Sequence, residues 1–377
     1  MHQPSTMADS RLFRPLKIGN MEVKHRIAMA PLTRLRATVD RVPTPLMVEY
    51  YSQRASIPGT LIFAESIAPS PAACGNFVGG PGIWSQEQVT AWKAITDEVH
   101  KRGCFIVCQL YGFGRAAISE VAKSEGIDIV APSAIPIDDN SPIPRAMTTQ
   151  EINQMVQDFA TASKNAISAG FDGVECHAAN GYLLDQFLQE GSNQRDDEYG
   201  GSVENRSRFP HEVLKAMVDA VGPAAVGLRL SPWSTFQVKR MKDPIPQYTD
   251  IINKASRLNI AWLDLIESRV AGGVDVEASG SLDFAYRVWR GPIIVGGGYK
   301  PVGARKHVDE EYPDKDIVVM FGRQFISNPD LVYRIKKGLE LNAYDRNTFY
   351  TNSAAGYVDY PMSKEYMERE KVQISPA

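Results

Sequence analysis

The sequence predicts a (β/α)8 barrel, an α/β fold with one N-terminal hairpin and one long insertion. Three observations carry this. Short apolar runs rich in Val, Ile and Phe alternate with longer stretches of helical periodicity, the pattern expected of a parallel sheet with crossover helices. Eight such runs occur, at 26–30, 60–64, 104–109, 173–177, 226–230, 262–266, 292–296 and 317–321. Polar residues collect just after the runs, where the loops of a barrel converge on one mouth.

Each element has its own local reason. A hairpin over 16–23, turning at Gly19-Asn20, precedes the first run and is placed to plug the bottom of the barrel. Two helices announce their starts: Ser85-Gln-Glu-Gln88 and Thr148-Thr-Gln-Glu151 match the capping box, in which a hydroxyl and a side chain three residues on satisfy each other's backbone N–H groups. The connection over 110–148, rich in Pro, Ser, Asp and Ile, is long for a barrel loop and is predicted to act as a lid over the mouth. Residues 1–10 read as a short tail. No Pro/Gly/Ser linker divides the 377 residues, so one domain is expected.

Composition narrows the function. With 44% hydrophobic and 23% charged residues the chain has the balance of a globular protein with a sizeable core, and a net charge of −3 with no basic run offers no footprint for nucleic acid. The first residues lack an apolar signal-peptide core, and no run approaches the roughly 18 apolar residues of a membrane span, so a cytoplasmic protein is expected. Cys74, Cys104, Cys108 and Cys176 form no Cys-x-x-Cys pair and read as reduced core residues; no metal is expected.

The ends of the runs supply the candidate site. Gly296-Gly-Gly298 and Gly322-Arg323 follow the seventh and eighth runs, where barrels commonly hold a phosphate on backbone N–H groups, with Arg323 as a charged clamp. His177 and Asn180 are placed to aim two donors at one oxygen, with Tyr182 beside them as a neutral acid. Arg229 ends an otherwise apolar strand and so requires an anion, either a ligand or an internal carboxylate such as Glu65. Gln109 closes another apolar strand and reads equally as a ligand contact or a satisfied core amide.

Read together, Met29-Ala-Pro-Leu-Thr-Arg34, Pro81-Gly-Ile-Trp-Ser85, His177-Ala-Ala-Asn-Gly-Tyr-Leu-Leu-Asp-Gln-Phe187, Tyr199-Gly-Gly-Ser-Val-Glu-Asn-Arg206, Gly227-Leu-Arg-Leu-Ser-Pro232, Phe321-Gly-Arg323, Ile326-Ser-Asn-Pro-Asp-Leu331 and Phe349-Tyr350 with Gly356-Tyr-Val-Asp-Tyr-Pro361 resemble the old yellow enzyme family, from Leu12 to about Met367. The relatives in mind include oxophytodienoate reductases and fungal members of secondary-metabolite pathways.

The resemblance implies non-covalent FMN, NADPH or NADH as hydride donor, and an enone or enal substrate whose C=C bond is reduced by a monomer or homodimer. It implies that Pro31, Leu32, Thr33, Ala64, Gln109 and Arg229 contact the isoalloxazine, with Arg229 at its N1/O2 edge. Gly298, Gly322 and Arg323 would hold the phosphate, and Tyr350 would cover the ring. His177 and Asn180 would bind the substrate carbonyl, Tyr182 would deliver the proton, and Phe77, Tyr111, Arg269 and Tyr350 would shape the substrate site. Four positions depart from the common pattern: Tyr111 and Gly112, expected to leave more room, Phe77 in place of a frequent tyrosine, and Ser66 in place of a frequent glycine. Two other readings stay open here, net isomerisation or dehydrogenation by the same flavin site, and a flavin-free lyase or isomerase that uses the phosphate cradle alone.

Overall fold

The structure is a computed structural model that describes residues 6–75, 77–239, 241–271, 274–277 and 280–374. Eight parallel strands close a barrel: β1 Ile27–Met29, β2 Leu61–Phe63, β3 Phe105–Leu110, β4 Gly173–Ala178, β5 Val226–Leu230, β6 Trp262–Ile266, β7 Ile293–Gly296 and β8 Ile317–Phe321, with β8 pairing back onto β1. All eight predicted runs are strands, with ends that differ by at most one residue. Both capping boxes form, at the starts of helices Gln86–Lys101 and Thr149–Ser168.

Side chains alternate across each strand, and the alternation sorts the chain into two cores. Ile106, Cys108, Val174, Cys176, Leu228 and Leu263 face outward into the layer between strands and helices. Val107, Trp262, Ile294, Val318 and Met320 face inward, where Leu16, Ile18, Met21 and Val23 of the hairpin join them, so the hairpin plugs the barrel from below as its position suggested. The tip of the hairpin needs Gly19, at φ +56°, because a Cβ there would lie 2.0 Å from the carbonyl oxygen of Ala224. All four cysteines are buried free thiols.

Of the predicted tail, residues 1–5 lie outside the described residues, but Met7–Asp9 is a capped 3-10 turn and Arg11 is tied by its guanidinium to the carbonyls of Val308, Tyr312 and Lys315. The insertion after β3 carries a helix, Ser119–Glu125, and a two-stranded ladder of Val130–Ala131 with Arg145–Ala146, and none of its described residues lines the cavity at the mouth. Arg115 holds it to one side, donating to the carbonyls of Ile135, Pro136 and Gln237.

Candidate active site

A cavity of about 520 Å³ opens at the carboxyl ends of the strands, within the usual range for a small-molecule site. It gathers most of the predicted residues: Pro31, Leu32 and Thr33 after β1, Gln109 on β3, His177, Asn180 and Tyr182 at the end of β4, Arg229 on β5, Gly298 after β7, Gly322 and Arg323 after β8, and Tyr350 at the rim. Strand pairing explains the clustering, since Gln109 pairs with Glu175 and His177 with Arg229 across adjacent strands, all on the inward face.

His177 is 3% exposed and its Nδ1 accepts the N–H of Ala179 at 3.2 Å. That bond fixes the tautomer, so Nε2 carries the hydrogen and presents a donor to the cavity. Burial, and then the charge of Arg229, push the imidazole down to about 3, so it is neutral at any ordinary pH. Asn180 stands in the left-handed region at φ +58°, which asparagine tolerates better than most residues, and its backbone N–H donates to Ser231 Oγ at 2.7 Å. The turn therefore places its side chain beside His177 on the cavity wall.

Tyr182 stands edge-on to His177, with ring centroids 5.3 Å apart. Burial raises its pKa, opposed by a hydrogen bond with the Gln237 side chain, whose Oε1 is otherwise without a partner. Tyr111 lies behind this wall, 6% exposed, packed against Tyr182 edge-on and stacked on His177. It braces the pair. Gly112 leaves no free space either, since a Cβ there would lie 3.1 Å from Leu183.

The glycine cradle is real backbone geometry. Gly297 and Gly298 have φ of +125° and +68°, and a Cβ on Gly297 would lie 2.8 Å from that of Glu267. Arg323, Lys300 and Arg346 line the same end of the cavity. Three cations beside bare backbone suit that end of the cavity to an anionic group such as a phosphate. The cradle also holds a carboxylate of the chain: Asp275 Oδ1 accepts from Arg323 Nη2 at 2.5 Å, and Oδ2 from Nη1 at 3.2 Å.

Three predicted contacts, Ala64, Arg269 and Phe77, fall elsewhere, while Arg229 lines the cavity with its anion already supplied by the chain. Arg229 does not await a ligand for its anion, nor does it pair with Glu65: it forms a buried ion pair with Asp264, its neighbour on β6. Glu65 instead accepts the backbone N–H groups of Arg34 and Leu35, at 3.2 and 3.4 Å, and shapes the loop after β1. Ala64 is wholly buried and does not line the cavity; Ser66 does, donating to Gln109 Oε1 at 2.6 Å. Arg269 turns away to donate to the carbonyl of Gly297 at 2.6 Å and to cover the ring of Tyr299, in a neighbouring depression. Phe77 stands outside the cavity wall, half-exposed, and stacks on Tyr350 with centroids 6.2 Å apart.

Sequence reasoning missed Asp264, Glu175, Gln237, Ser231 and Asp275. A signal existed for the first two: an acid in Trp-Leu-Asp-Leu-Ile and in Gly-Val-Glu-Cys-His is as anomalous in an apolar strand as Arg229, whose own oddity was noticed. The other three lie outside the barrel strands, where nothing local marks them. The C-terminal segment that carries Phe349 and Tyr350 is fastened to the loop after β1 by Arg34 and Arg36, both of which donate to the carbonyl of Phe349.

Residues 11–342 match the NADH:flavin oxidoreductase / NADH oxidase family. The chain is 48% identical over 363 residues to chanoclavine-I aldehyde reductase of Penicillium roqueforti, covering 95% of this chain and 98% of that protein. It is 46% identical to an NADP-dependent oxidoreductase of Aspergillus flavus, covering 97% of this chain and all of that one. Its fold superimposes on the crystal structure of an old yellow enzyme from a Pichia species with a TM-score of 0.88, at 38% identity and 95% coverage of both chains.

Proposed function

The chain belongs to this family of FMN oxidoreductases, and on that premise we propose that it reduces the C=C bond of an α,β-unsaturated aldehyde or ketone with hydride drawn from NADPH. FMN supplies the hydride chemistry when bound. The observation that carries the proposal is the arrangement of three side chains on one wall: the neutral His177 with its hydrogen on Nε2, Asn180 on the same wall, and Tyr182 edge-on to His177. Two neutral donors suit a carbonyl oxygen that gains charge as hydride reaches the β-carbon, because they strengthen with that charge. A phenol then completes the reaction by giving its proton to the α-carbon.

In this reading Pro31, Leu32, Thr33, Gln109 and Arg229 line the ring, Gly298, Gly322 and Arg323 hold the phosphate, and Tyr350 closes the rim. The relative named as an aldehyde reductase supports an enal substrate, and the relative named as NADP-dependent supports NADPH. Among the described residues no helix is long and apolar enough to cross a membrane; four reduced thiols accord with a cytoplasmic location. Purified protein is expected to be yellow, with an oxidised-flavin band that NADPH bleaches and a simple enal restores. Colourless protein that FMN fails to reconstitute, or flavin that an enal fails to reoxidise, overturns the proposal.

A further inference from the structure

At the floor of the cavity lies a buried polar cluster, two members of which, Glu175 and Asp264, the proposed reaction leaves unused. Gln109, Glu175, Arg229 and Asp264 come from four successive strands, β3 to β6, and all point inward. Glu175 receives two donors, Gln109 Nε2 at 2.8 Å and Trp262 Nε1 at 2.9 Å. The indole reaches it because β5 carries Gly227, where a Cβ would lie 1.9 Å from the Trp262 ring. Asp264 accepts from Arg229 through Oδ2, while its Oδ1 is buried without an ordinary donor.

The orphaned oxygen has an explanation. Glu175 and Asp264 both have zero exposure and point into the same interior from the strands on either side of β5, close enough for each to act on the other's charge. Two ionised carboxylates do not share a site that water cannot screen, so a proton lies between them. Asp264 touches the guanidinium and is the anion; Glu175, which touches neutral donors, holds the proton. Burial, followed by the charge of Asp264, raises Glu175 to about 8. Burial also raises Asp264, against the pull of Arg229. The remaining groups near Glu175 do not compete: His177 is neutral, and the Cys176 thiol, raised by burial, faces the outer core.

We propose that Glu175 and Asp264 are positioning residues that keep one proton beneath the flavin and hold it, or take it up, when the flavin becomes negatively charged on reduction. This rests on the reading that places the flavin edge over Gln109 and Arg229. With the proton in place, Arg229, Asp264 and Glu175 sum to zero charge; without it they sum to −1 and oppose the reduced anion. The balance is simple. Hydride brings two electrons and one proton to the flavin, and where Glu175 is ionised in the oxidised protein, one solvent proton joins its carboxylate as the flavin is reduced. No bond to carbon changes in that step.

The test is the pH dependence of the two-electron reduction equilibrium of the FMN-loaded protein, measured against a redox dye for wild type, Glu175→Gln and Arg229→Met. Each proton taken up changes that equilibrium tenfold per pH unit. Wild type is expected to follow about tenfold per unit below pH 8 and to steepen toward a hundredfold above it, while Glu175→Gln stays near tenfold throughout. Equal slopes for the two proteins overturn the proposal. Arg229→Met separates the failures: if it alone shifts the equilibrium, the flavin lies where assigned and only the proton pair is wrong, whereas wild-type FMN affinity and equilibrium in this variant remove the flavin from Arg229. Should Glu175→Gln not fold, reduced-minus-oxidised infrared spectra of wild type above pH 8 serve instead. A protonated-carboxyl band that grows on reduction and moves in D2O is expected, and its absence overturns the proposal.

Discussion

The carboxylate of Asp275 forks onto the guanidinium of Arg323, at 2.5 and 3.2 Å, on the ground that the proposed site assigns to a phosphate. Arg323, with Arg346 and Lys300 near it, holds the Asp275 carboxyl below its ordinary pKa, so it is an anion wherever FMN is. The two anions compete for the same cation. Asp275→Asn is therefore expected to tighten FMN binding three- to tenfold, about 0.7 to 1.4 kcal/mol, the scale of an exposed ion pair. Fluorescence titration of flavin-free protein with FMN and with riboflavin checks it. Riboflavin has no phosphate and should be unaffected; equal changes for both flavins would place Asp275 outside the phosphate site.

Tyr182→Phe removes one hydroxyl while the ring still packs edge-on to His177 and Tyr111. Flavin reduction by NADPH is expected to stay near wild type, while reoxidation by a weakly activated enone falls at least about tenfold, at or somewhat below the usual general-acid contribution. Nitroalkenes should be spared, because their product anion survives unprotonated. Stopped-flow traces of the two half-reactions decide, and an unchanged enone trace removes Tyr182 from proton delivery.

Asn180→Ala removes one of the two donors to the carbonyl. A loss of about 2.7 to 4 kcal/mol in transition-state stabilisation is expected, with weaker binding of phenolic ligands. Steady-state turnover of cyclohexenone measures it; a drop of less than about threefold with unaltered binding would put the carbonyl elsewhere.

Stability against pH tests the buried proton independently of any flavin. Glu175 sits at about 8 in the folded protein and near its ordinary value of about 4.3 when unfolded. Between those values the folded state holds a proton that the unfolded state has released, so this group's contribution is greatest below the unfolded pKa and is lost as pH rises to about 8. Melting temperatures of wild type should fall between pH 5 and 8 relative to those of Glu175→Gln. Parallel curves would mean that the proton is absent.

How far the sequence reached is clearest from residues that share one strand. In Val-Gly-Leu-Arg-Leu the apolar positions and the period of two identify β5 and its outward face, and they mark Arg229 as a charge that needs a partner. That reasoning is local, and it also located every other barrel strand, the plugging hairpin, the glycine cradle and the His177, Asn180 and Tyr182 turn. It did not reach the partner. Asp264 lies 35 residues further along the chain, and it meets Arg229 because β5 and β6 pair in one register.

The same limit explains the other corrections. The family resemblance places Arg269 and Tyr111 against a ligand, but backbone paths in three dimensions give Arg269 a carbonyl and Tyr111 the back of the wall, and they bring Arg323 a carboxylate that the sequence did not announce. Periodicity, caps and turn chemistry are properties of neighbouring residues, so the sequence alone determined the barrel and the mouth where chemistry gathers. Which charges meet there, which tautomer His177 adopts and where a proton is kept depend on closing the sheet, and only the tertiary structure decided them.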